Sequence, residues 1–368
     1  MSATLREALE HADLLVTAGP GGVGKTSTAA ALGVAAARSG RRVVVLTVDP
    51  ARRLADALGL EDGAGADRPH LVDLGDVRGV GELWAVMLDA EATFDRLVRE
   101  QAGGDRQADA VLGNPVYRAI AGSLSGAQEY MAIERLHQLY TSGEWDLVIV
   151  DTPPSRHAID LLEAPDRLVR FLGHPVYRAL TAGQRTLARL TDAAASVFLW
   201  AVRRLAGPQL VHDVVAFFRS LTHIEGGLRK RAQEVSVLLR ADTTTFVVVT
   251  SPRAEAVGEA THLIEALRSR HFPFGGVIAN LVHPTPEPFD SLSPEEVAAL
   301  EGLGDGPLAD HVVWHHRLAA VAASEHGELD ALRQVSGGVP LVELPLLDVD
   351  IHDVDGLSVL AGLLLAAE

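Results

Sequence analysis

The chain has 368 residues, of which 48% are hydrophobic and 22% are charged, with a formal net charge of −17 and no cysteine. This length is enough for one large α/β domain, and the composition is typical of a soluble globular protein. The missing cysteines exclude disulfides, thiolate zinc sites and iron–sulfur clusters, and the negative charge makes nucleic acid a poor partner.

The N-terminal segment, residues 1–16, contains three acidic side chains and lacks the basic head and apolar core of a secretory signal. The longest apolar run in the middle of the chain, residues 193–202, is about half as long as a segment that crosses a bilayer. We therefore expect a cytoplasmic protein without an integral membrane segment.

A glycine-rich turn, GPGGVGKT at residues 19–26, follows a predicted strand at 13–18 and precedes a small, apolar, helical segment that reaches Arg38. This order of elements is the setting of a phosphate-binding loop with the pattern G-x-x-x-x-G-K-[ST]. The chain contains thirty arginines and only two lysines, Lys25 and Lys230. The compact ammonium of Lys25 suits β- and γ-phosphates better than a guanidinium does. We predict that the loop binds a nucleotide through Gly21, Gly22, Val23, Gly24, Lys25, Thr26 and Ser27.

The second predicted strand, residues 43–48, ends at Asp49. At the carboxyl end of this strand, the carboxylate is placed to orient or deprotonate the water that attacks the γ-phosphate. An aspartate followed by a proline, here Pro50, is also a common helix opening in which the aspartate is the N-cap. The two roles are compatible, and both stay open at this point.

A third predicted strand, residues 147–150, leads into Asp151. A carboxylate in this place, downstream of a phosphate loop, is a typical direct or indirect partner of Mg²⁺. The hydroxyl of Thr26 is the second predicted magnesium ligand, because Mg²⁺ keeps most of its water and takes few protein ligands. We predict a magnesium site between these two residues.

Three more apolar strands, 246–250, 277–280 and 339–344, alternate with helical patterns in the remainder of the chain. Near-continuous apolar strands that alternate with helices are typical of a parallel sheet that is covered on both faces. The sequence therefore predicts an α/β fold with a doubly wound, mostly parallel sheet. In such folds the ligand binds at the carboxyl ends of the strands.

Two stretches, residues 90–143 and 165–240, show helix-length apolar periodicity and little strand character. We interpret them as a helical subdomain inserted into a single domain of residues 1–368. Apolar side chains in the second stretch either line a groove for a hydrophobic client or pack a helical core: Phe198, Leu199, Trp200, Val214, Val215, Phe217 and Phe218. The nucleotide-binding core then comprises residues 1–89, 144–164 and 241–368.

Several segments together resemble the deviant Walker A P-loop ATPases of the arsenical-pump (ArsA) and guided-entry tail-anchored-protein targeting family. They are GPGGVGKT at 19–26, VVVLTVDPARRLADALG at 43–59, DLVIVDTPPSRHAIDLLEAP at 146–165, FVVVTSPRAEAVGEATHLIEAL at 246–267, GGVIANLV at 275–282 and VELPLLDVDIHDVDGL at 342–357. They cover nearly the whole chain in order. The resemblance implies a P-loop NTPase fold with ATP and Mg²⁺ as cofactors.

The resemblance also implies roles for individual residues. Asp49 falls on the water-activating position, and residues 151–157 fall on the second switch segment. Asn280, Pro345 and Leu346 fall where the family holds adenine. The chain lacks the guanine-reading motif [NT]-K-x-D, which supports adenine independently.

The chain departs from the family pattern in two places. Pro20 stands where the family carries a lysine that reaches the nucleotide of the dimer partner. The CxxC zinc clamp and the arsenite-binding cysteines of the family have no counterpart here, so we do not expect arsenite-stimulated pumping. We expect either a homodimer or a heterodimer with a paralogous ATPase that supplies the missing lysine.

The predicted function is Mg²⁺-dependent ATP hydrolysis by a nucleotide-switched dimer that binds a client through its helical subdomain, with Asp49 and Lys25 as catalytic residues. An alternative is a non-enzymatic regulatory subunit that holds ATP for a paralogous ATPase. A third hypothesis is a partition or cell-division ATPase. It requires a basic face or a basic amphipathic tail, whereas residues 357–368 are apolar and acidic.

Overall fold

The computed structural model describes residues 5–49, 53–60, 67–75, 81–101, 104–114, 127–175, 177–178, 222, 225–286, 295, 298–299, 307–348 and 350–366. The helices are α1 (Leu5–His11), α2 (Lys25–Arg38), α3 (Arg53–Ala57), α4 (Ala90–Gln101), α5 (Asp105–Leu112), α6 (Ala127–Thr141), α7 (Ser155–Gly173), α8 (Ala254–Ser269), α9 (Pro307–Ser336) and α10 (Val354–Ala366). Residues 225–238 are helical as well. The strands are β1 (Leu14–Ala18), β2 (Arg42–Thr47), β3 (His70–Val72), β4 (Glu82–Met87), β5 (Leu147–Asp151), β6 (Thr244–Thr250), β7 (Phe274–Val282) and β8 (Leu341–Pro345).

The described strands form one eight-stranded sheet in the order β3-β4-β2-β5-β1-β6-β7-β8. β3 is antiparallel to β4, and the other neighbouring pairs are parallel. Helices pack on both faces of the sheet, which confirms the predicted doubly wound, mostly parallel α/β fold. Because β5 lies between β1 and β2, the carboxyl ends of these three strands are adjacent.

The six predicted strands are present, whereas β3 and β4 are absent from the sequence prediction. β3 has only three residues, and β4 (ELWAVM) begins with an exposed glutamate and has partly exposed side chains along its length. Both strands lie at one end of the sheet. Short strands near an edge lack the continuous apolar run by which central parallel strands are recognised.

A hydrophobic core covers each face of the sheet. On one face α2 packs against α10, and its buried surface consists largely of alanines. A Cβ atom on Gly33 of α2 would lie 2.9 Å from side-chain atoms of both Leu83 and Val45. These small residues allow α2 to approach the sheet closely, and the helix therefore holds the glycine-rich loop at its N-terminus in a defined place.

The helical stretches have the predicted character, with α4, α5 and α6 in the first and residues 225–238 in the second. α7 continues through Pro165 to Gly173, so the boundary predicted between residues 164 and 165 lies inside a helix. The division into a core and an inserted subdomain stays a prediction. The apolar groove candidates between Phe198 and Phe218 lie outside the described residues. Within the described ranges, no helix combines the length and the apolar character that a membrane crossing requires.

Candidate functional site

The loop between β1 and α2 follows a path that glycine makes possible. Gly22 and Gly24 have φ angles of 75° and 87°, in the left-handed region that other residues rarely adopt. A Cβ atom on Gly19 would lie 1.9 Å from the carbonyl oxygen of Val249, so the loop starts in close contact with the end of β6. The three glycines therefore let the chain turn sharply and enter the N-terminus of α2.

This loop borders a cavity of about 260 Å³ at the carboxyl ends of the central strands. The predicted catalytic residues Asp49 and Lys25 both face it, although they belong to different strand–helix units. The loop contributes Gly21, Gly22, Gly24, Lys25, Thr26 and Ser27, and other segments contribute Asp49, Asp56, Ala57, Thr152, Pro154, Ile351 and His352.

Lys25 is the first residue of α2, and only 8% of its surface is exposed. Its ammonium group donates a hydrogen bond of 2.7 Å to the carbonyl oxygen of Pro20. The charged end of the side chain thus lies over the turn of its own loop, beside the cavity. A positive charge at this point adds to the N-terminus of α2, and both favour a bound anion.

Asp151, the last residue of β5, is completely buried. Its Oδ2 atom accepts hydrogen bonds from the hydroxyl of Thr26 at 2.7 Å and from the hydroxyl of Thr47 at 3.0 Å. Thr26 belongs to the start of α2, and Thr47 ends β2. One carboxylate therefore joins the phosphate-loop helix to the strand that precedes Asp49.

The surroundings of Asp151 disfavour a bare negative charge. Burial raises the pKa of Asp151 from 3.8 to about 6, although the hydrogen bonds from Thr26 and Thr47 and the charge of Lys25 lower it. The negative charge of Asp49 raises this pKa further. A cation bound next to the carboxylate would favour its ionised form.

The donor atoms at this position fit Mg²⁺. Oδ2 of Asp151 accepts two hydrogen bonds, whereas its buried Oδ1 atom has no hydrogen-bond partner in the described part of the chain. Mg²⁺ prefers oxygen ligands and usually takes only one or two of them from the protein. The carboxylate of Asp151 and the hydroxyl of Thr26 form such a set.

Asp49 follows β2 and is half-buried at the border of the cavity. Its backbone N–H donates a hydrogen bond to the hydroxyl of Thr47 at 3.3 Å. This bond ties Asp49 to Asp151 through one shared threonine. α3 begins at Arg53, and Pro50 lies outside the described residues, so the helix-capping role of Asp49 stays a prediction.

The family profile of anion-transporting ATPases (ArsA_ATPase) matches residues 12–292. This chain belongs to the ArsA ATPase family. The segments that carry the resemblance in the sequence therefore reflect a shared family, and the phosphate loop, Asp49 and Asp151 all lie inside the matched range. The resemblance predicted from the sequence is confirmed.

Individual relatives extend this match beyond residue 292. The chain is 26% identical over 392 residues to ATPase GET3C of Arabidopsis thaliana, with 98% of this chain and 87% of the relative covered. ATPase get3 of Pyrenophora tritici-repentis is 25% identical over 284 residues, with 76% and 77% covered. ATPase ARSA1 of Chlamydomonas reinhardtii is 26% identical over 358 residues, which cover 92% of this chain and 41% of that protein.

The residues predicted to hold adenine in this ArsA-family ATPase lie on β7 and β8. Asn280 donates a hydrogen bond of 3.0 Å from Nδ2 to the carbonyl oxygen of Val23, which is itself buried beneath the loop. Pro345 ends β8, and the N–H of Leu346 donates to the carbonyl oxygen of Val282 at 2.8 Å. Among the described residues, the cavity lining includes none of these, and their contact with adenine stays a prediction.

The sequence prediction omits three residues that line the cavity of this ArsA-family chain, Asp56, Ile351 and His352. Asp56 lies on α3, and the other two precede α10. They belong to segments 43–59 and 342–357, which carry the family resemblance, but no short motif assigns them a role. Their position at the site follows only from the tertiary structure.

Proposed function

We propose that this chain is a Mg²⁺-dependent ATPase of the ArsA type that works as a nucleotide-switched dimer. The observation that carries the proposal is the bond between the hydroxyl of Thr26 and the buried carboxylate of Asp151, 2.7 Å long, at the cavity that the phosphate loop borders. It joins the two groups that a magnesium–nucleotide complex requires. Family membership supports the same activity.

The residues have separate tasks in this proposal. Lys25 and the backbone N–H groups of residues 21–26 stabilise the negative charge that develops on the phosphates. Asp49 orients the attacking water or accepts its proton. Thr26 and Asp151 hold Mg²⁺, which when bound shields the phosphate oxygens and assists charge transfer to the leaving group.

A dimer with a paralogous ATPase follows from the residue that precedes the two glycines. Pro20 is buried, and it provides its backbone carbonyl to the ammonium of Lys25. A proline supplies no cation to a nucleotide across a dimer interface, which the family pattern assigns to a lysine at this position. We therefore favour a partner chain that contributes this charge, and a homodimer of this chain would hydrolyse ATP slowly.

The helical stretches are the proposed client-binding part, and one contact supports their coupling to the nucleotide. The side chain of Gln128, in the first turn of α6, donates a hydrogen bond of 2.8 Å to the carbonyl oxygen of Val48. Val48 directly precedes Asp49. A shift of Asp49 towards a bound nucleotide would therefore displace the start of α6, and a hydrophobic client on the helices would sense that change.

The proposal is tested by phosphate release from ATP with magnesium. Replacing Lys25 with alanine (Lys25→Ala) is expected to lower turnover at least about 100-fold. The matched control is Lys230→Ala, because Lys230 is the only other lysine in the chain and its side chain is 76% exposed. Equal turnover in Lys25→Ala and the unsubstituted chain contradicts the ATPase assignment.

The second candidate function, a subunit that holds ATP without hydrolysing it, is favoured by the buried proline at position 20. Asp49→Asn separates the two functions. In the ATPase, this variant binds ATP in calorimetry but loses most of its phosphate release, alone and with the paralogue present. In the regulatory subunit, phosphate release by the complete assembly is the same with Asp49→Asn as without it.

A further inference from the structure

Asn280 lies beneath the phosphate loop and contacts it from the side opposite the cavity. The residue is only 9% exposed, and its Nδ2 atom donates a hydrogen bond of 3.0 Å to the carbonyl oxygen of Val23. The acceptor is a carbonyl, so the amide must present its N–H to it. The donor side of Asn280 is thus engaged by the loop backbone.

An irregularity in β7 directs Asn280 towards the loop. The register between β7 and β8 shifts between Ala279 and Val282, and Leu281 within this bulge has a φ angle of 65°. A leucine in the left-handed region is uncommon, and such conformations concentrate at functional sites. A bulge in a strand reorients the side chains around it. The local backbone is therefore arranged so that Asn280 reaches the loop.

The bond to Val23 also determines the direction of the next N–H group. In a trans peptide the C=O and the following N–H point in opposite directions. The carbonyl of Val23 points to Asn280, so the N–H of Gly24 points away from Asn280, towards the cavity that Gly24 lines. If this peptide plane rotated, a carbonyl oxygen would face the phosphates instead.

A rotation of this plane is sterically easy without a restraint, because Gly24 has a φ angle of 87° and carries no side chain. Asn280 also fills the space behind it. A Cβ atom on Gly24 would lie 2.4 Å from Nδ2 of Asn280. The glycine and the asparagine therefore fit each other, and the amide packs directly against the backbone that it restrains.

We propose that Asn280 is a positioning residue that holds the Val23–Gly24 peptide with its N–H directed at the phosphates of the nucleotide. This inference rests on the proposed function, since it assigns Asn280 a task in the same site. It differs from a contact with the adenine base. A base contact affects only ligands that have a base, whereas a peptide restraint affects every ligand that has a phosphate chain.

The test compares Asn280→Asp and Asn280→Leu, which keep the approximate shape of the side chain. Asp places a carboxylate oxygen against the Val23 carbonyl, and Leu removes the donor. The control is Asn114→Asp, which changes the second of the two asparagines in the chain, after the end of α5. Dissociation constants are measured for ADP and for inorganic tripolyphosphate, a ligand without a base, with thermal melting to verify folding.

Both ligands are expected to bind about tenfold more weakly to Asn280→Leu, and more weakly still to Asn280→Asp, whereas Asn114→Asp binds them normally. If ADP binding weakens and tripolyphosphate binding does not, Asn280 contacts the base and the inference is overturned. Unchanged binding of both ligands overturns it as well. If the unsubstituted chain binds neither ligand, the proposed function itself fails. Should one variant not fold, the ratio of the two losses in the other variant decides.

Discussion

Asp67 and Asp151 are both almost completely buried, with 1% and 0% of their surfaces exposed, yet their surroundings differ. Asp67 accepts a hydrogen bond of 2.8 Å from the hydroxyl of Thr93 and forms ion pairs with Arg96 and with Arg135. Two guanidinium groups therefore neutralise its charge within the protein. Asp151 has hydroxyl partners on one oxygen and none, among the described residues, on the other.

The difference separates a structural cluster from a binding site. The Asp67 cluster joins the loop before β3 to α4 and α6, and each charge in it has an opposite charge nearby. Buried ion pairs of this kind are satisfied without any ligand. Asp151 carries a charge that its surroundings disfavour and that a cation would stabilise. Three predictions test this contrast.

The largest expected effect is the loss of stability on neutralising Asp67. Asp67→Asn keeps the size of the side chain but leaves Arg96 and Arg135 without their shared counter-charge. The free energy of unfolding is expected to fall by about 3 kcal/mol, the lower part of the range for a broken buried pair. Urea denaturation measures it, with Asp109→Asn as the control, because the side chain of Asp109 is 71% exposed. A loss below that of the control contradicts the structural role.

The second effect has the opposite sign. Asp151→Asn removes a charge that burial disfavours, so without magnesium the unfolding free energy at neutral pH is expected to rise by about 2 kcal/mol. This is about 3 kcal/mol of relieved charge less about 1 kcal/mol for a buried amide N–H without a partner. The same variant loses magnesium-dependent phosphate release. If Asp151→Asn is destabilised like Asp67→Asn, the two aspartates are not different in kind.

The smallest effect is the pH dependence of that gain. The folded-state pKa of Asp151 is about 6 and lies above its ordinary value of 3.8. Its contribution is therefore most favourable below the unfolded-state pKa and is lost as the pH rises through about 6. With a chelator present, the stability difference between Asp151→Asn and the unsubstituted chain should be about half as large at pH 5 as at pH 8. A difference that is constant over this interval contradicts the raised pKa.

Much of the fold follows from the sequence because its signals are local. The six central strands are apolar runs that their own composition identifies, and β3 and β4 escape because edge strands carry no such run. The loop at residues 19–26 is likewise a continuous pattern. Its setting between β1 and α2 is as predicted.

Contacts between distant residues are a different matter. The sequence indicates that Thr26 and Asp151 belong to one site only through their types and their order after strands. The bond between them depends on β5 lying between β1 and β2, which is a property of the sheet. Asp56 and His352 reach the cavity for the same reason, and no local pattern marks them.

The sequence alone determined that this chain has a phosphate loop with its one suitable lysine, a parallel α/β sheet and membership of the ArsA family. The tertiary structure decided that Asp151 is buried with one oxygen unsatisfied, and that Asn280 bonds the backbone of Val23 across 257 positions of chain. Local patterns specify strands, turns and helices through the backbone preferences of neighbouring residues. Burial and the pairing of polar groups depend on which strands become neighbours, and that is established only when the whole sheet has formed.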